Sequence, residues 1–247
     1  MNLKQHVIKE FSEKPIQEEY KEKTRKGLWD SEKKLIKKYF KKGKILDIGC
    51  GSGRVSYTLQ KKGYEVTPID ITPAMIKSAK ELSKEFNIQL QFQLMDATNL
   101  KFQDETFDNA IFSFNGWNQI PKKKNRDKAL EETYRVLRKG GRFIFTTHIR
   151  KIGKYTPFWI LYRIKMKLLK PLGIKTLAEE YGDRFFRRGD KEIYQKAQYV
   201  HIPKEKEVKE QLRKTSFKIL FNDFRSKISK KDKKQMGGDC MFFVCEK

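Results

Sequence analysis

Three glycines alternate with other residues in the stretch "ILDIGCGSGRVSYTL", at Gly49, Gly51 and Gly53. A glycine loop between an apolar strand and a helix is typical of a site that holds the charged part of a ligand. A dinucleotide fingerprint needs its third glycine one place later, where Arg54 stands, and a P-loop needs a Gly-Lys-Ser/Thr ending that this loop lacks. The spacing therefore disfavours both phosphate-binding motifs.

Asp47 stands two residues before the first glycine, at the carboxyl end of the predicted strand. A pyrophosphate about 5 Å from this carboxylate would be repelled by roughly 3 kcal/mol per charge at an effective dielectric constant of about 20. A cationic ligand would be attracted instead. S-adenosylmethionine carries a sulfonium and an ammonium but no phosphate, and its carboxylate can accept hydrogen bonds from the amides at a helix start. The loop chemistry therefore favours S-adenosylmethionine.

Two further acids follow the next two predicted strands. Asp70 ends the second strand, where a carboxylate can accept hydrogen bonds from both ribose hydroxyls. Asp96 follows the third strand in "QLMDATNL" and is placed to accept from the exocyclic amine of adenine. Open sheets bind their ligands at the carboxyl edge, so carboxylates at three successive strand ends predict one binding site.

The elements that must position these acids alternate between strand and helix patterns, which is typical of a parallel sheet with helices on both faces. Thr72 and Pro73 mark one helix start, and Gly140 and Gly141 mark the end of another helix. A final helix over residues 204–215 precedes two strands that we expect to form an antiparallel hairpin. The predicted strands are residues 44–48, 65–69, 89–94, 107–114, 141–147, 217–224 and 240–245.

Five stretches occur in order: "ILDIGCGSGR", "VTPIDITPAMIKSAK", "LQFQLMDATNLKF", "FDNAIFSFNGWNQIP" and "ALEETYRVLRKGGRFIFTTH". With them the chain resembles the class I S-adenosylmethionine-dependent methyltransferases over about residues 45–148. The resemblance implies a Rossmann-like α/β fold, with a doubly wound, mostly parallel sheet of seven strands in the order 3-2-1-4-5-7-6 and strand 7 antiparallel. It also implies S-adenosyl-L-methionine as the cofactor, and no metal.

The resemblance assigns donor-binding roles residue by residue. They are Asp47, Gly49, Gly51 and Gly53 at the methionine end, Ser113 and Asn115 near the reacting sulfur, Asp70 at the ribose, and Ile71, Asp96 and Ala97 at the adenine.

Methyl transfer from a sulfonium is an in-line displacement with a neutral leaving group, so the protein chiefly has to align and dehydrate the two reactants. A general base is needed only if the acceptor arrives protonated. His148 follows the fifth strand and is our first candidate for a base or a substrate contact; His201, in "QYVHIPKE", is the second. A structural role for either histidine stays open.

The acceptor is constrained by departures from known motifs. Asn115 is followed by Gly116 and Trp117, whereas amino-group methylases of nucleobases usually have Asn/Asp-Pro-Pro-aromatic at this place. No cysteine stands in the segment directly after the fourth or the fifth strand to serve as the nucleophile that 5-methylcytosine formation needs. Trp117 can line the substrate pocket or belong to the core. The sequence favours a small or amphiphilic acceptor.

We expect residues 1–43 to form a helical segment over the cofactor site and residues 44–247 to form the methyltransferase domain, with a substrate-side insert at 149–200. In the insert, "PFWILYRIKMKLLK" predicts a basic amphipathic helix with Arg163, Lys167 and Lys170 on one face. Such a helix can cover a pocket or lie on an anionic membrane. Arg184, Arg187 and Arg188 follow in a loop that can grip an anionic substrate group or remain solvated.

The net charge of +25 is uneven: residues 149–247 hold 26 basic and 12 acidic residues, whereas residues 45–148 hold 16 and 12. The basic flanks leave open an RNA methyltransferase, peripheral contact with an anionic membrane, or a lysine-rich source proteome. Besides a small-molecule enzyme and an RNA methyltransferase, a non-catalytic binding module with the cofactor fold stays open as a third function.

The three cysteines make no disulfide framework, the first 15 residues lack a signal-peptide pattern, and the apolar runs are too short to span a bilayer. These features favour the cytoplasm; the oligomeric state stays open.

Overall fold

The predicted strands form one main sheet in a computed structural model of the protein, which describes residues 2–150, 153, 155–169, 178–187, 197–234 and 238–247. The strand Lys44–Ile48 lies inside this sheet and is buried at every residue after the first, as expected of a parallel strand covered on both faces. In chain order the described strands are β1 (Lys44–Ile48), β2 (Glu65–Asp70), β3 (Gln93–Leu94), β4 (Phe107–Phe112), β5 (Leu137–Thr147), β6 (Asp183–Phe186), β7 (Gln198–His201), β8 (Lys218–Phe224) and β9 (Met241–Glu246).

Helices cover both faces of the sheet, because successive strand residues point to opposite faces. Along β5, Phe143 and Phe145 join one apolar cluster and Ile144 joins the other. The described helices are α1 (Leu3–Phe11), α2 (Lys14–Lys26), α3 (Asp30–Tyr39), α4 (Arg54–Gln60), α5 (Pro73–Phe86), α6 (Lys123–Val136), α7 (Thr156–Leu169), α8 (Glu205–Lys214) and α9 (Arg225–Ile228). The first cluster includes residues of α6 and α8, and the second includes residues of α3 and α4.

The main sheet has the order β3-β2-β1-β4-β5-β9-β8. Numbered within this sheet alone, the order is 3-2-1-4-5-7-6, and β9 runs antiparallel to both of its neighbours. The predicted doubly wound, Rossmann-like fold is confirmed. Strands β6 and β7 form a separate antiparallel pair.

Two predicted borders are wrong. The third strand has two residues rather than six, since Phe92 and Leu90 turn toward α4 and α5 and pack in the apolar cluster there. Gly140 and Gly141 do not end a helix: α6 ends at Val136 and β5 begins at the next residue. The pairing of β5 with β4 shifts register across this glycine pair, and Gly140 has a φ of 72°. The glycines therefore permit an irregularity within a strand.

The expected insert contains α7, β6 and most of β7. Its strand pair is attached to the main fold through Asn118, whose Nδ2 donates to the His201 carbonyl at 2.5 Å and whose Oδ1 accepts from the His148 N–H at 2.9 Å. On its other side Tyr199 packs against Val7 of α1. Lys170 and Arg188 lie outside the described residues. Among the described residues, no helix is both long and apolar enough to cross a bilayer.

Candidate donor and acceptor site

A cavity of about 210 Å³ lies at the carboxyl edge of β1, β2 and β4. Parallel strands bring their ends together at this edge, and the cavity is lined by the loops that follow them. Its wall also includes Lys4 and Val7 of α1 and Tyr20 of α2. The N-terminal helices thus contribute directly to the cavity.

The glycine loop can approach the cavity because two of its residues lack a side chain. Gly49 and Gly51 line it with φ of 61° and 55°. A Cβ on Gly49 would lie 2.6 Å from Cε2 of Phe112, so only glycine fits there. Gly53 is not among the lining residues; its φ is 93°, and a Cβ would lie 2.6 Å from a ring carbon of Tyr57. Gly53 adopts the left-handed backbone conformation at the residue just before α4.

Asp70 connects the end of β2 to the glycine loop. One carboxylate oxygen accepts from the Gly51 N–H at 2.9 Å, and the other accepts from the Thr72 N–H at 2.8 Å. Burial raises the pKa of this carboxyl, and the backbone donors oppose the rise. Each carboxylate oxygen has a second lone pair, so Asp70 can still accept two ligand hydroxyls.

Ile71, Asp96 and Ala97 also line the cavity. Asp96 accepts from the Thr98 N–H at 2.9 Å and pairs with the ammonium of Lys4 at 2.5 Å. Burial raises the pKa of Asp96, but these donors outweigh it and hold the pKa below its ordinary value. Lys4 therefore connects α1 to the residue that we expect to meet adenine.

Asp47 lies beside a smaller, adjoining cavity, together with Gly49 and Gly51. Its carboxylate is buried and accepts from the Ser56 hydroxyl at 2.5 Å. Burial raises the pKa of Asp47 to about 7, although Ser56 and the Arg54 guanidinium oppose the rise. Near neutral pH this group can therefore be switched between its charged and uncharged forms.

A buried ion pair that no sequence motif predicted lies next to the glycine loop. Both terminal nitrogens of Arg54 donate to the Glu32 carboxylate, each at 2.6 Å, and Glu32 is completely buried. Arg54 also donates to Ser113 Oγ at 2.9 Å, and Ser113 donates to Glu32. A cation in the first turn of α4 opposes the helix dipole, which is a sequence signal that Arg54 needs an acidic partner.

Ser113 lines both cavities, whereas Asn115 is not among the residues that line either one. Asn115 has a φ of 60°, and its N–H donates to Thr146 Oγ1 at 2.7 Å. Its Nδ2 lies 3.2 Å from His148 Nε2, and its buried Oδ1 has no hydrogen-bond partner in the described ranges. The two residues predicted near the sulfur therefore have different partners. Ser113 lines the cavities and bonds to Arg54, whereas Asn115 bonds to Thr146 and lies beside His148.

Neither histidine candidate is among the cavity-lining residues. Burial, assisted by Arg225, lowers the pKa of His148. His201 is buried, and its Nδ1 lies 2.8 Å from an Asp183 carboxylate oxygen. Burial lowers the pKa of His201 and outweighs the raising effect of Asp183. His148 thus lies beside Asn115, and His201 ends β7, one residue beyond the expected insert.

Several residues of the cavity wall outside the strand-end loops of β1 and β2 are apolar. They include Val7, Phe11, Ile120 and Pro121, and Gln119 adds a buried Oε1 that has no hydrogen-bond partner among the described residues. No sequence motif predicted that these residues belong to the site. The spacing of Leu3, Val7 and Phe11 along α1 signals a buried helix face but not the cavity that it meets.

Trp117 was predicted either to line the substrate pocket or to belong to the core. It is fully buried in the core, so the second interpretation is confirmed.

The chain is similar in sequence to known methyltransferases. A family profile described as "Methyltransferase domain" matches residues 45–141. The chain is 37% identical over 137 residues to the ubiquinone/menaquinone biosynthesis C-methyltransferase UbiE of Zymomonas mobilis, a match that covers 55% of this chain and 54% of that protein. It is 29% identical to the eEF1A lysine and N-terminal methyltransferase homolog of Drosophila melanogaster over 59% of this chain and 23% of that protein.

Among solved structures, the chain is similar to a SAM-dependent methyltransferase from Methanosarcina mazei, with 25% identity and a TM-score of 0.68. That similarity covers 90% of this chain and 98% of the other. The matches to curated relatives are shorter and span about half of their length or less. The named relatives include a quinone-biosynthesis methyltransferase and a protein methyltransferase homolog.

Proposed function

Because the chain belongs to the class I S-adenosylmethionine-dependent methyltransferases, we propose that it transfers a methyl group from S-adenosylmethionine to a small or amphiphilic acceptor. When bound, the donor supplies an electrophilic methyl group on a sulfonium. The protein's own task is to hold both reactants in line and to keep water out.

The residues of the cavity fit this donor. The glycine loop leaves room that a Cβ would fill, and Asp70 retains an acceptor lone pair on each oxygen. In the proposal Asp70 holds the ribose, Ile71, Asp96 and Ala97 hold the adenine, and Asp47 with Gly49 and Gly51 faces the cationic methionine end. Ser113 and Asn115 lie beside the sulfur, and Gly53 positions α4. Helices α1 and α2, within residues 1–43, cover the donor.

One observation carries the acceptor class: among apolar lining residues the cavity contains the Oε1 of Gln119, which is buried and has no hydrogen-bond partner within the described part of the chain. An unpaired buried acceptor is costly, so a substrate that donates one hydrogen bond there and is otherwise apolar would be favoured. Val7, Phe11 and Ile120 supply the apolar contact. An amphiphilic molecule with a hydroxyl or amine meets both demands.

His148 and His201 remain our candidates for the proton acceptor. The lowered pKa keeps each imidazole neutral at neutral pH, which is the form that accepts a proton. His148 acts next to Asn115, and His201 is oriented by Asp183. If either is the base, its alanine variant lowers kcat and removes the acidic limb of the pH profile, whereas a structural role lowers stability without changing that profile.

A methyl-transfer screen tests the proposal. The full chain is incubated with labelled S-adenosylmethionine and extract fractions separated into lipid, small polar and RNA pools. We expect label in the lipid or small-molecule pool. Label confined to RNA would contradict the acceptor class in favour of the RNA alternative. Absence of donor binding by isothermal titration calorimetry would favour the non-catalytic module.

A further inference from the structure

Helix α7 presents an apolar face to solvent. Ile160, Leu161, Ile164 and Leu168 recur at helical spacing and are exposed by 55%, 66%, 49% and 61%. At 3.6 residues per turn, these four side chains share one side of the helix. Single exposed apolar residues are ordinary, but a continuous stripe of four marks an interaction surface.

The opposite side of α7 is fixed to the protein, so the exposed face cannot simply turn inward. Met166 is buried, the Tyr162 hydroxyl donates to the Asp183 carbonyl at 2.9 Å, and the Tyr181 hydroxyl donates to the Trp159 carbonyl at 3.0 Å. Trp159, Tyr162 and Met166 lie on the helix side away from Ile164. The packing of α7 thus determines which face meets the solvent.

Positive charge borders the apolar face on both sides. On a helical wheel Arg163 and Lys167 flank one edge and Lys165 flanks the other, and all three are exposed. No acidic residue occurs between 156 and 169. An apolar face with cations along its edges is the arrangement by which a helix lies in the interface of an anionic bilayer.

A groove of about 520 Å³ adjoins this helix and adds a polar contact site. Arg163, Lys167 and Lys204 line it together with Arg150. The Arg150 side chain is 3% exposed, and its Nη1 has no hydrogen-bond partner among the residues that the structure describes. Its Nε donates to the Ile202 carbonyl at 3.2 Å, and its Nη2 donates to Glu207 at 3.4 Å.

The groove has an aromatic wall that holds Arg150 in place. The guanidinium of Arg150 lies 4.2 Å from the ring centroid of Tyr181 and 4.9 Å from that of Trp159. A buried guanidinium with one free nitrogen, surrounded by further cations, fits a phosphate group. None of the groove residues lines the donor cavity, so this is a second site.

We propose that α7 docks the protein on an anionic lipid bilayer, with its apolar face in the membrane interface and a lipid phosphate in the groove beside Arg150. A second copy of this chain fits the face poorly, because pairing two such helices would bring six cations together. RNA would satisfy the cations but would leave Ile160, Leu161, Ile164 and Leu168 in water. The proposal goes beyond methyl transfer, since docking needs neither donor nor acceptor.

Sedimentation with lipid vesicles tests the proposal. The full chain is mixed with vesicles of phosphatidylcholine alone or with added phosphatidylglycerol, and the bound fraction is measured. We expect strong binding only to the anionic vesicles. Ile164→Ser combined with Leu168→Ser should weaken this binding at least about tenfold, because apolar area no longer enters the interface. Both positions are exposed, so the fold is preserved.

A matched pair of charge reversals separates the site from the net charge. Arg163→Glu with Lys167→Glu should lower vesicle affinity at least about tenfold. Lys33→Glu with Lys37→Glu removes the same charge from exposed positions, also four residues apart, on α3. This control should change affinity less than about threefold.

Three results would overturn the proposal: equal binding to both kinds of vesicle, equal losses in the two charge-reversal variants, or a dimer in sedimentation velocity that the serine variant disperses. Tight RNA binding that is lost with Arg163→Glu and Lys167→Glu while vesicle binding persists would also overturn it. These outcomes do not depend on methyl transfer, so they can be separated from a failure of the proposed function.

Discussion

The donor cavity and the exposed side of α7 treat charge in opposite ways. In the cavity Asp70 accepts from two backbone N–H groups. Along α7, Lys165 and Lys167 are exposed and Arg163 lines an open groove. A buried charge must have fixed partners because desolvation is costly, whereas a surface cation can keep its water. The first region is therefore preorganised for one ligand, and the second suits a diffuse partner.

The largest effect expected from this contrast concerns Glu32. Glu32→Ala leaves Arg54 buried without its carboxylate, so the free energy of unfolding should fall by about 3–5 kcal/mol in urea titrations. Glu22→Ala removes an exposed partner of Arg25 and should cost less than about 1 kcal/mol. Similar losses in the two variants would contradict the contrast between buried and exposed charges.

The double variant Glu32→Leu with Arg54→Met sharpens this test. Removing both charges eliminates the unpaired guanidinium, so this variant should be more stable than Glu32→Ala alone. A double variant that is less stable than Glu32→Ala would show that Arg54 contributes stability beyond neutralising the charge of Glu32.

The next effect concerns donor affinity. Asp70→Ala should weaken S-adenosylmethionine binding by more than about tenfold in isothermal titration calorimetry, because charge-assisted hydrogen bonds to the ribose are lost. An analogue of S-adenosylhomocysteine without the 2′-hydroxyl separates ribose contact from loop support. Wild-type protein should discriminate against this analogue and Asp70→Ala should not. An unchanged dissociation constant for the donor would refute the ribose assignment.

Asp47 should make donor binding depend on pH. Its pKa of about 7 leaves it largely uncharged at pH about 6, so affinity for the cationic donor should rise by up to about tenfold between pH about 6 and about 8. Asp47→Asn should bind weakly throughout and lose this rise. A wild-type profile that is flat over this interval would show that Asp47 does not face the donor's positive charge.

The same group predicts a change in stability. Because the folded pKa lies above the ordinary value of 3.8, the folded state holds a proton that the unfolded state has lost between pH about 4 and about 7. The stabilisation that comes from this bound proton is therefore lost as the pH rises through that interval. Relative to wild type, Asp47→Asn should gain stability at pH about 8, measured by urea unfolding.

The smallest effect concerns the pair of Lys4 and Asp96, whose side chains are 49% and 25% exposed. Lys4→Ala should raise the association rate of S-adenosylmethionine by less than about fivefold in stopped-flow measurements, since α1 loses one contact across the cavity. Lys9→Ala, at an exposed position on the same helix, is the matched control. A slower association in Lys4→Ala would indicate that Lys4 steers the donor instead of retaining α1.

Prediction from sequence succeeded at strand ends and failed at contacts between distant segments. The positions of Asp70 and Asp96 follow from local strand patterns and from the rule that parallel strands end at one edge. The pairs of Glu32 with Arg54 and of Lys4 with Asp96 join residues far apart in the chain, and no local pattern specifies them. The glycine pair at 140–141 shows a further limit, because a helix stop and a strand irregularity have the same local signal.

The sequence by itself determined the fold class, the strand order through its resemblance, and the row of acids at the carboxyl edge, because these depend on hydrophobic period and on residue types beside strand ends. The tertiary structure decided which partners hold the buried charges and which side of α7 is exposed. Amphipathic spacing states that a helix has an apolar face, but only the packing of Trp159, Tyr162 and Met166 determines that Ile164 and Leu168 face the solvent.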